Sequence, residues 1–206
     1  MKIYDISQEV FGASVYPGDP TPDRTLLSDM RKGELYNLTM FQMCAHNGTH
    51  IDAPRHFLSD GKSVDEIALE QFIGYAYVAE FEGEIGEADA GRILSDAQKA
   101  EREKKTAPDA ARRILIKGNA VLTEAGARIF AKSGLFLFGN ESPSVGPVDA
   151  PMAVHLCMLH AGIVLLEGIR LSEVEEGIYF LNAAPLNLGG ADGAPCRAVL
   201  LSTESE

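Results

Sequence analysis

The residues with the clearest chemical potential form one short segment in the first third of the chain. Three of the five histidines fall in this segment, together with one aspartate. The four residues are His46, His50, Asp52 and His56. All four stand at even positions, so an extended backbone would turn their side chains toward one face. Gly48 and Pro54 supply places where the chain can bend around a common centre.

Imidazoles and a carboxylate, without a thiolate, form a ligand set that suits Zn²⁺ or Mn²⁺. A neutral histidine can bind a metal, a carboxylate can be shared between two metals, and a spare histidine can carry a proton. A single buried histidine is more often a hydrogen-bonded core residue than a ligand. Three histidines and an aspartate in one short segment instead favour metal binding or catalysis over a purely structural role.

A second polar group lies in the last third of the chain. Asp149 and Pro151 predict the start of a helix, with Asp149 as its cap and His155 about one to two turns in. An apolar strand over 163–167 follows and ends in Glu167. A carboxylate at the end of an apolar run needs a hydrogen-bonding partner or a metal. We therefore expect His155 and Glu167 to converge with the first cluster on one site.

The elements that must position these residues follow from the apolar patterns. Residues 35–45 are rich in strand formers and apolar on both faces, which predicts a central strand, covered on both sides, that leads directly to His46. Residues 113–139 have the strand, helix, strand pattern of a crossover unit. A long helix is predicted over 87–104. A capping-box pattern predicts a short helix over 63–72.

Length and composition limit the possible architecture and partners. A chain of 206 residues, of which 46% are hydrophobic, is sufficient for one domain over 1–206 with a substantial core. The formal net charge of −12 argues against nucleic acid and anionic membrane surfaces as partners. No apolar run is long enough to cross a bilayer. Three widely spaced cysteines predict reduced thiols in a cytoplasmic protein.

Two loops have compositions that are compatible with ligand contact. Residues 15–22 are too rich in proline and glycine for regular structure, and they carry the aromatic ring of Tyr16. A stiff loop of this kind can form a pocket wall, although most such loops only connect elements. Residues 189–193 form a glycine-rich link that could approach a ligand closely. Without other phosphate-binding signals, these glycines do not predict a nucleotide site.

Several segments together resemble a known protein family. The segment HNGTHIDAPRHF, residues 46–57, resembles the HxGTHxDxPxH motif of the cyclase family, which includes bacterial kynurenine formamidase and isatin hydrolase. Tyr16-Pro-Gly-Asp19 resembles the N-terminal WPGD-type loop of the family, and residues 140–145 resemble its DTPSVD-like loop. His155 and Glu167 stand twelve positions apart, as the distal ligand pair does in the formamidases. The resemblance continues to the C-terminal strands.

The resemblance implies a single cyclase-type α/β domain of the swivelling β/β/α class, with a mixed β-sheet core and flanking helices. It also implies a homodimer or homotetramer and two divalent metal ions, with Zn²⁺ preferred over Mn²⁺. Five metal ligands are implied, namely His46, His50, Asp52, His155 and Glu167. His56 is implied as the general acid/base. Tyr16 is implied as a substrate contact, because it stands where the formamidases carry a tryptophan.

The implied activity is hydrolysis of a small amide by a metal-activated water, as in arylformamidases that cleave the C–N bond of N-formylkynurenine. The chain departs from the formamidase pattern on the substrate side, since it contains no tryptophan and carries Asn-Glu-Ser before Pro143. A lactam or lactone hydrolase similar to isatin hydrolase, or a cyclase or dehydratase, remains an alternative on the same metal frame. A non-catalytic metal-binding protein is a further alternative, against which the non-ligand His56 argues.

Overall fold

The computed structural model describes residues 1–202, in which thirteen strands and three α-helices form one α/β domain. The strands are β1 (Lys2–Asp5), β2 (Asp23–Ser28), β3 (Leu38–Gln42), β4 (His50–Asp52), β5 (Ile73–Glu80), β6 (Gly83–Ile85), β7 (Arg113–Lys117), β8 (Ala120–Leu122), β9 (Leu137–Asn140), β10 (Val164–Glu167), β11 (Gly177–Asn182), β12 (Gly193–Pro195) and β13 (Val199–Ser202). The helices are α1 (Glu87–Glu103), α2 (Glu124–Ala131) and α3 (Met152–His160).

Nine of these strands form one mixed sheet in the order β1-β13-β11-β5-β7-β9-β10-β4-β12. The central strands β5, β7, β9 and β10 are parallel to one another, whereas β4 and β12 extend the sheet in antiparallel fashion. The predicted crossover unit is confirmed, because the chain passes from β7 through the short strand β8 and α2 to β9, which pairs with β7 in parallel. The sequence-based fold class, a mixed sheet with flanking helices, is therefore correct.

The sheet is buried on both faces by two separate apolar clusters. Ile114 and Ile116 point toward a cluster that includes the buried sides of all three helices. Leu115, between them, points toward the opposite cluster, which contains loop residues such as Phe72 and Ile169. This alternation follows from the period of two in a strand. The parallel centre thus supports β10 at its margin and the antiparallel β4 beside it, and these two strands carry the polar cluster.

The prediction for residues 35–45 is wrong. Only residues 38–42 form a strand, β3, which pairs with β2 in a separate two-stranded sheet and is exposed along its whole length. The segment is apolar on both faces, but neither face of β3 is covered by any part of residues 1–202. We call residues 23–42 the arm. His46 consequently lies within a short turn over 43–49 and does not follow a buried central strand.

Two helix boundaries also differ from expectation. Residues 63–72 form two 3₁₀ turns, Val64–Glu66 and Leu69–Gln71, although the predicted capping box at Ser63 is present. Helix α3 begins at Met152 after Pro151, and no side chain caps it, so the predicted capping role of Asp149 is wrong. The long helix predicted over 87–104 is confirmed as α1. No helix within residues 1–202 is long and apolar enough to span a membrane.

Candidate metal centre

Strand pairing brings the two polar clusters of the sequence together. In β4, His50 and Asp52 point to one face and the fully buried Ile51 points to the other. The antiparallel register of β4 with β10 places Glu167 directly opposite His50. Nε2 of His50 lies 3.3 Å from Oδ1 of Asp52 and 3.5 Å from Oε2 of Glu167. Residues more than a hundred positions apart therefore share one centre.

Helix α3 adds a second imidazole to this centre. Nε2 of His155 lies 3.1 Å from Oε1 of Glu167 and 3.5 Å from Oδ2 of Asp52. Oε1 of Glu167 also accepts a hydrogen bond of 2.8 Å from the backbone N–H of Val145, which fixes the carboxylate. His50, Asp52, His155 and Glu167 are all buried. The expected convergence of His155 and Glu167 with Asp52 is thus observed in the geometry.

The hydrogen bonds of these histidines leave one nitrogen of each ring directed at the carboxylates. Nδ1 of His50 lies 3.0 Å from the carbonyl of Gly48, and Nδ1 of His155 lies 2.9 Å from the carbonyl of Pro151. A carbonyl only accepts hydrogen bonds, so each Nδ1 carries the proton in the neutral ring. Each Nε2 then offers a lone pair toward Asp52. That arrangement is typical of metal-binding histidines.

Two buried atoms in the centre have no hydrogen-bond partner, namely Nε2 of His50 and Oδ2 of Asp52. An unpaired buried polar group costs free energy, so its presence in a native site calls for a ligand or ion. Two groups of potential ligands with closely spaced donor atoms occur within residues 1–202. One contains His46, Asp52 and His56, the other contains His50, Asp52 and Glu167, and Asp52 belongs to both. The residues present therefore fit divalent cations.

The carboxylates strongly perturb the titration of the buried rings. Burial alone would lower the pKa of His50, but the nearby carboxylates of Asp52 and Glu167 outweigh it and raise the pKa to about 10. The same balance raises the pKa of His155 to about 10. Burial would raise the pKa of Asp52, yet the hydrogen bonds from the surrounding imidazoles hold it well below its usual range. The centre is thus strongly attractive to positive charge.

His46 and His56 lie side by side at the more open end of the centre. Their rings stack with centroids 3.9 Å apart, and Nδ1 of His46 lies 2.7 Å from Oδ1 of Asp52. A carboxylate that the sequence analysis did not assign, Asp192, approaches both rings. Its only sequence signal was its place in the glycine-rich link over 189–193. A single aspartate in a turn carries no spacing pattern, which explains why it was missed.

A cavity of about 490 Å³ opens onto the centre. Tyr16 lines it, as expected for the proline-rich loop, and its hydroxyl donates a 2.5 Å hydrogen bond to the carbonyl of Val148. Phe57, Pro143 and Pro151 contribute apolar walls. Four further polar residues border the cavity in addition to the histidines and Glu167, namely Asp19, Cys44, Ser144 and Asp192. The cavity is therefore suited to a small, partly aromatic molecule that reaches the buried carboxylates.

Comparison with known proteins is consistent with this geometry. The family model described as "Putative cyclase" matches residues 4–147. The chain belongs to this cyclase family. A kynurenine formamidase from Salinibacter ruber is 33% identical over 97% of both chains. A kynurenine formamidase from Erythrobacter litoralis is also 33% identical, over 97% of this chain and 93% of the relative.

Solved structures of cyclase-type proteins share the fold. A structure described as a potential metal-dependent hydrolase with cyclase activity has a TM-score of 0.80 at 27% identity and covers 99% of both chains. Isatin hydrolase A from Labrenzia aggregata has a TM-score of 0.80 at 22% identity, covering 98% of this chain and 94% of the other. At that identity the likeness to isatin hydrolase establishes the fold alone. The resemblance inferred from the motif is therefore confirmed at the level of family and fold.

Proposed function

We propose that this protein is a metal-dependent hydrolase of a small amide, most similar in activity to an arylformamidase that hydrolyses the C–N bond of N-formylkynurenine-type substrates. The observation that carries the proposal is the buried cluster of His50, Asp52, His155 and Glu167, which contains two unpartnered atoms and of which His50, His155 and Glu167 line the cavity. The full-length similarity to kynurenine formamidases supports the same activity.

Two divalent cations fit this cluster, with Zn²⁺ preferred and Mn²⁺ as the alternative. The proposed ligands are His46, His50, Asp52, His155 and Glu167. Asp52 stands in both groups of closely spaced donors, which suits a carboxylate shared by two cations. When bound, such cations supply a water with lowered pKa and polarise a substrate carbonyl. The two carboxylates offset the repulsion between the cations.

His56 is the proposed general acid/base. Its ring borders the cavity, and burial lowers its pKa below the usual value, an effect that the charge of Asp52 only partly offsets. The ring is therefore neutral at physiological pH and can accept a proton from the attacking water. Having accepted it, His56 can pass the proton to the leaving nitrogen as the C–N bond breaks. One side chain thus serves both halves of the reaction.

The cavity walls determine which amides can reach the centre. Tyr16 is the proposed substrate contact, because its ring lines the cavity while its hydroxyl is held by the Val148 carbonyl. The ring rather than the hydroxyl is therefore available to a planar substrate. Phe57 offers a second aromatic surface, and it lies near His155 with ring centroids 4.8 Å apart. An aryl formamide that packs on these rings would present its carbonyl to cations held by the proposed ligands.

A substrate panel with defined metal content tests the function. Purified protein loaded with Zn²⁺ or Mn²⁺ is assayed against N-formylkynurenine, formanilide, isatin and an aryl lactone, with chelator-treated protein alongside. We expect formamide hydrolysis that depends on added metal. Hydrolysis of isatin or the lactone without formamide turnover would replace the proposal with the cyclic-amide or lactone alternative. Metal binding without turnover of any substrate would support a non-catalytic protein.

The proposal includes a homodimer or homotetramer in which the arm contacts a second copy of the chain. Eight large apolar residues of the arm are 41–91% exposed, namely Leu26, Leu27, Met30, Leu35, Tyr36, Leu38, Met40 and Phe41. At roughly 100 Å² of exposed surface each, these side chains offer about 800 Å², which is the area that one partner buries in a standard interface. A two-stranded ribbon exposed on both faces is marginal in water by itself. Coverage by another subunit would supply the missing burial.

The charges of the arm favour a second copy of the chain over other occupants. The chain carries a net charge of −12, so most of its surface repels an identical molecule. The arm itself holds three acidic and three basic residues, and its local net charge is therefore zero. The net negative charge of the chain also disfavours an anionic membrane as the occupant.

The three free cysteines of the chain support a cytoplasmic location.

A further inference from the structure

Asp192 contacts two histidines of the centre from the side away from the buried carboxylates. Its Oδ2 atom lies 2.9 Å from Nε2 of His46 and 3.3 Å from Nδ1 of His56. The two rings stack on each other, so one carboxylate oxygen reaches the edges of both. The pairs are distant in sequence, since Asp192 and His46 are 146 positions apart. The contact is therefore made only when β12 docks beside β4.

The backbone around Asp192 is held against β4 and against the ring of His46. The carbonyl of Asp192 accepts a 2.9 Å hydrogen bond from the N–H of Ala53, immediately after β4. The next residue, Gly193, packs so closely that a β-carbon there would lie 2.7 Å from Cε1 of His46 and 2.6 Å from the carbonyl of Ile51. Any side chain at position 193 would displace the ring or the strand. The glycine thus lets the link lie directly against His46.

We propose that Asp192 is the positioning residue for both His46 and His56. By accepting the Nε2 proton of His46, it leaves Nδ1, which faces Asp52 at 2.7 Å, free to bind a metal. By accepting the Nδ1 proton of His56, it leaves Nε2 of that ring to take and give the catalytic proton. One carboxylate would thereby set the tautomer of a ligand and of the acid/base together. This inference deepens the proposed function and rests on it.

The geometry favours positioning over direct metal binding by Asp192. Its oxygen meets the nitrogen of His46 that is remote from Asp52, whereas the shared carboxylate lies at the other nitrogen. Asp192 is absent from both groups of closely spaced donors within the described residues. Its side chain is 47% exposed, while those of Asp52 and Glu167 are almost fully buried. Carboxylates that orient a metal-binding histidine from outside typically change metal affinity by about 10–100-fold.

Metal titration of Asp192 variants tests the inference independently of turnover. Metal-free wild type, Asp192→Asn and Asp192→Ala proteins are titrated with Zn²⁺ against a chromophoric chelator, which gives both stoichiometry and dissociation constant. We expect unchanged stoichiometry at saturating Zn²⁺ and a dissociation constant about 10–100-fold weaker in the alanine variant. The dissociation constant of the asparagine variant should lie between those of wild type and the alanine variant, because its amide oxygen still accepts one hydrogen bond but carries no charge. With Co²⁺ as the probe, the absorption spectrum should differ from that of wild type less in the asparagine variant than in the alanine variant.

Asp65 supplies a matched control in the same region. It supports the glycine-rich link through a 2.8 Å hydrogen bond from the N–H of Gly190, and the structure gives it no contact with an imidazole. Asp65→Ala should therefore keep wild-type Zn²⁺ affinity within about threefold. Equal weakening in Asp65→Ala and Asp192→Ala would attribute the effect to the link itself and overturn the proposal. Far-ultraviolet circular dichroism confirms that each variant is folded before titration.

Catalysis gives a second readout. For whichever amide the wild type hydrolyses, Asp192→Ala at saturating metal should lower kcat with KM little changed. The kcat of Asp192→Asn should lie between those of wild type and Asp192→Ala. Loss of one full equivalent of Zn²⁺ in Asp192→Ala would make Asp192 a ligand. Wild-type affinity and kcat in that variant would remove any positioning role. If the wild type itself binds no metal, the proposed function fails. If the wild type binds metal and the Asp192 variants match it in metal affinity and kcat, only the inference about Asp192 fails.

Discussion

At the scale of single residues, the centre is defined by which nitrogen of each histidine is already occupied. In His50 and His155, Nδ1 hydrogen-bonds to a backbone carbonyl, and Nε2 faces the carboxylates. The sequence motif predicted which residues would gather, because ligand types and their spacing are local properties. It could not predict the tautomers, since the carbonyls of Gly48 and Pro151 reach the rings only in the folded backbone. Asp192 escaped prediction for the same reason.

Substitutions of His56 and Asp52 separate proton transfer from metal binding. We expect His56→Ala to keep nearly all its metal and to lose about 10²–10⁴-fold in kcat, the usual contribution of a positioned acid/base. Asp52→Ala should lose metal first and activity as a consequence, because a carboxylate shared by two cations would offset the charge of both. Metal analysis by mass spectrometry and steady-state kinetics on the same samples check both expectations.

The outcomes distinguish three roles for His56. It belongs to one of the two groups of closely spaced donors, so a ligand role is the specific alternative. Equal metal loss in His56→Ala and Asp52→Ala would make His56 a ligand. Unchanged turnover in the His56 variant would make it a structural residue.

The raised pKa values predict a pH dependence that appears only without metal. The pKa values of His50 and His155 are about 10 in the metal-free fold, against 6.5 in the unfolded chain. Groups with a raised pKa contribute stability that is fully present below pH 6.5 and is lost as the pH rises through about 10. The free energy of unfolding of metal-free protein should therefore fall across this window. Urea denaturation over the window, with and without Zn²⁺, measures the change.

Metal-loaded protein is the control for this pH effect. Nitrogens that bind a metal carry no proton, so the loss of stability between pH 6.5 and about 10 should be absent. Parallel declines in metal-free and metal-loaded protein would contradict both the pKa assignment and the proposed ligands. A difference confined to the metal-free form would support both.

At the scale of elements, prediction succeeded where the decisive signals are local. The long helix α1 and the strand–helix–strand unit over 113–139 follow from apolar periodicity, and within that unit Thr123 caps α2 by accepting a hydrogen bond from the N–H of Gly126. Prediction failed for residues 35–45 because a strand that is apolar on both faces has the same pattern whether it is buried within the chain or left exposed in an arm. The insertion of β4 between β10 and β12 depends on distant segments and leaves no local signal.

A core substitution in α2 should affect stability without affecting the centre. Phe130 is fully buried and contacts Phe138 of β9 with ring centroids 5.0 Å apart. Phe130→Ala should lower the free energy of unfolding by about 3–5 kcal/mol, from lost burial and the cavity left behind. At a temperature where the variant is folded, its kcat should match the wild type. Denaturant titration and kinetics provide the two measurements.

Leu69 offers the corresponding control for that substitution. It is 60% exposed, so Leu69→Ala should change the free energy of unfolding by less than about 0.5 kcal/mol. A comparable loss in both variants would show that burial does not govern the effect. A fall in the kcat of folded Phe130→Ala would instead indicate that the helix layer transmits changes to the metal ligands.

At the scale of the whole molecule, the arm predicts how copies associate. Leu35 and Phe41 are 91% and 55% exposed. Replacing both with serine should convert a dimer or tetramer into a monomer of 22.2 kDa while leaving the far-ultraviolet spectrum unchanged, because neither side chain supports the core. Light scattering at micromolar concentration gives the mass. Leu69→Ser, at a position that is 60% exposed but outside the arm, should keep the wild-type mass.

Two results would contradict this model of assembly. A wild-type protein that is monomeric and fully active at micromolar concentration would remove the need for a second copy. Dissociation by Leu69→Ser with retention of the oligomer in the arm variant would move the interface elsewhere on the surface.

The position of β4 in the sheet has a consequence for how the protein is made. Its partners, β10 and β12, are encoded far downstream, and Thr49 contacts the carbonyl of Gly168 across 119 positions. At roughly 5–20 residues per second, a ribosome needs about 6–24 seconds to add that length of chain. During this interval the histidine-rich segment is already synthesised, but the strands and helix that complete the centre do not yet exist. Before α3 and β10 are made, this segment offers an ion only its own histidines and Asp52, and the full set of proposed ligands forms only when β10 has paired with β4.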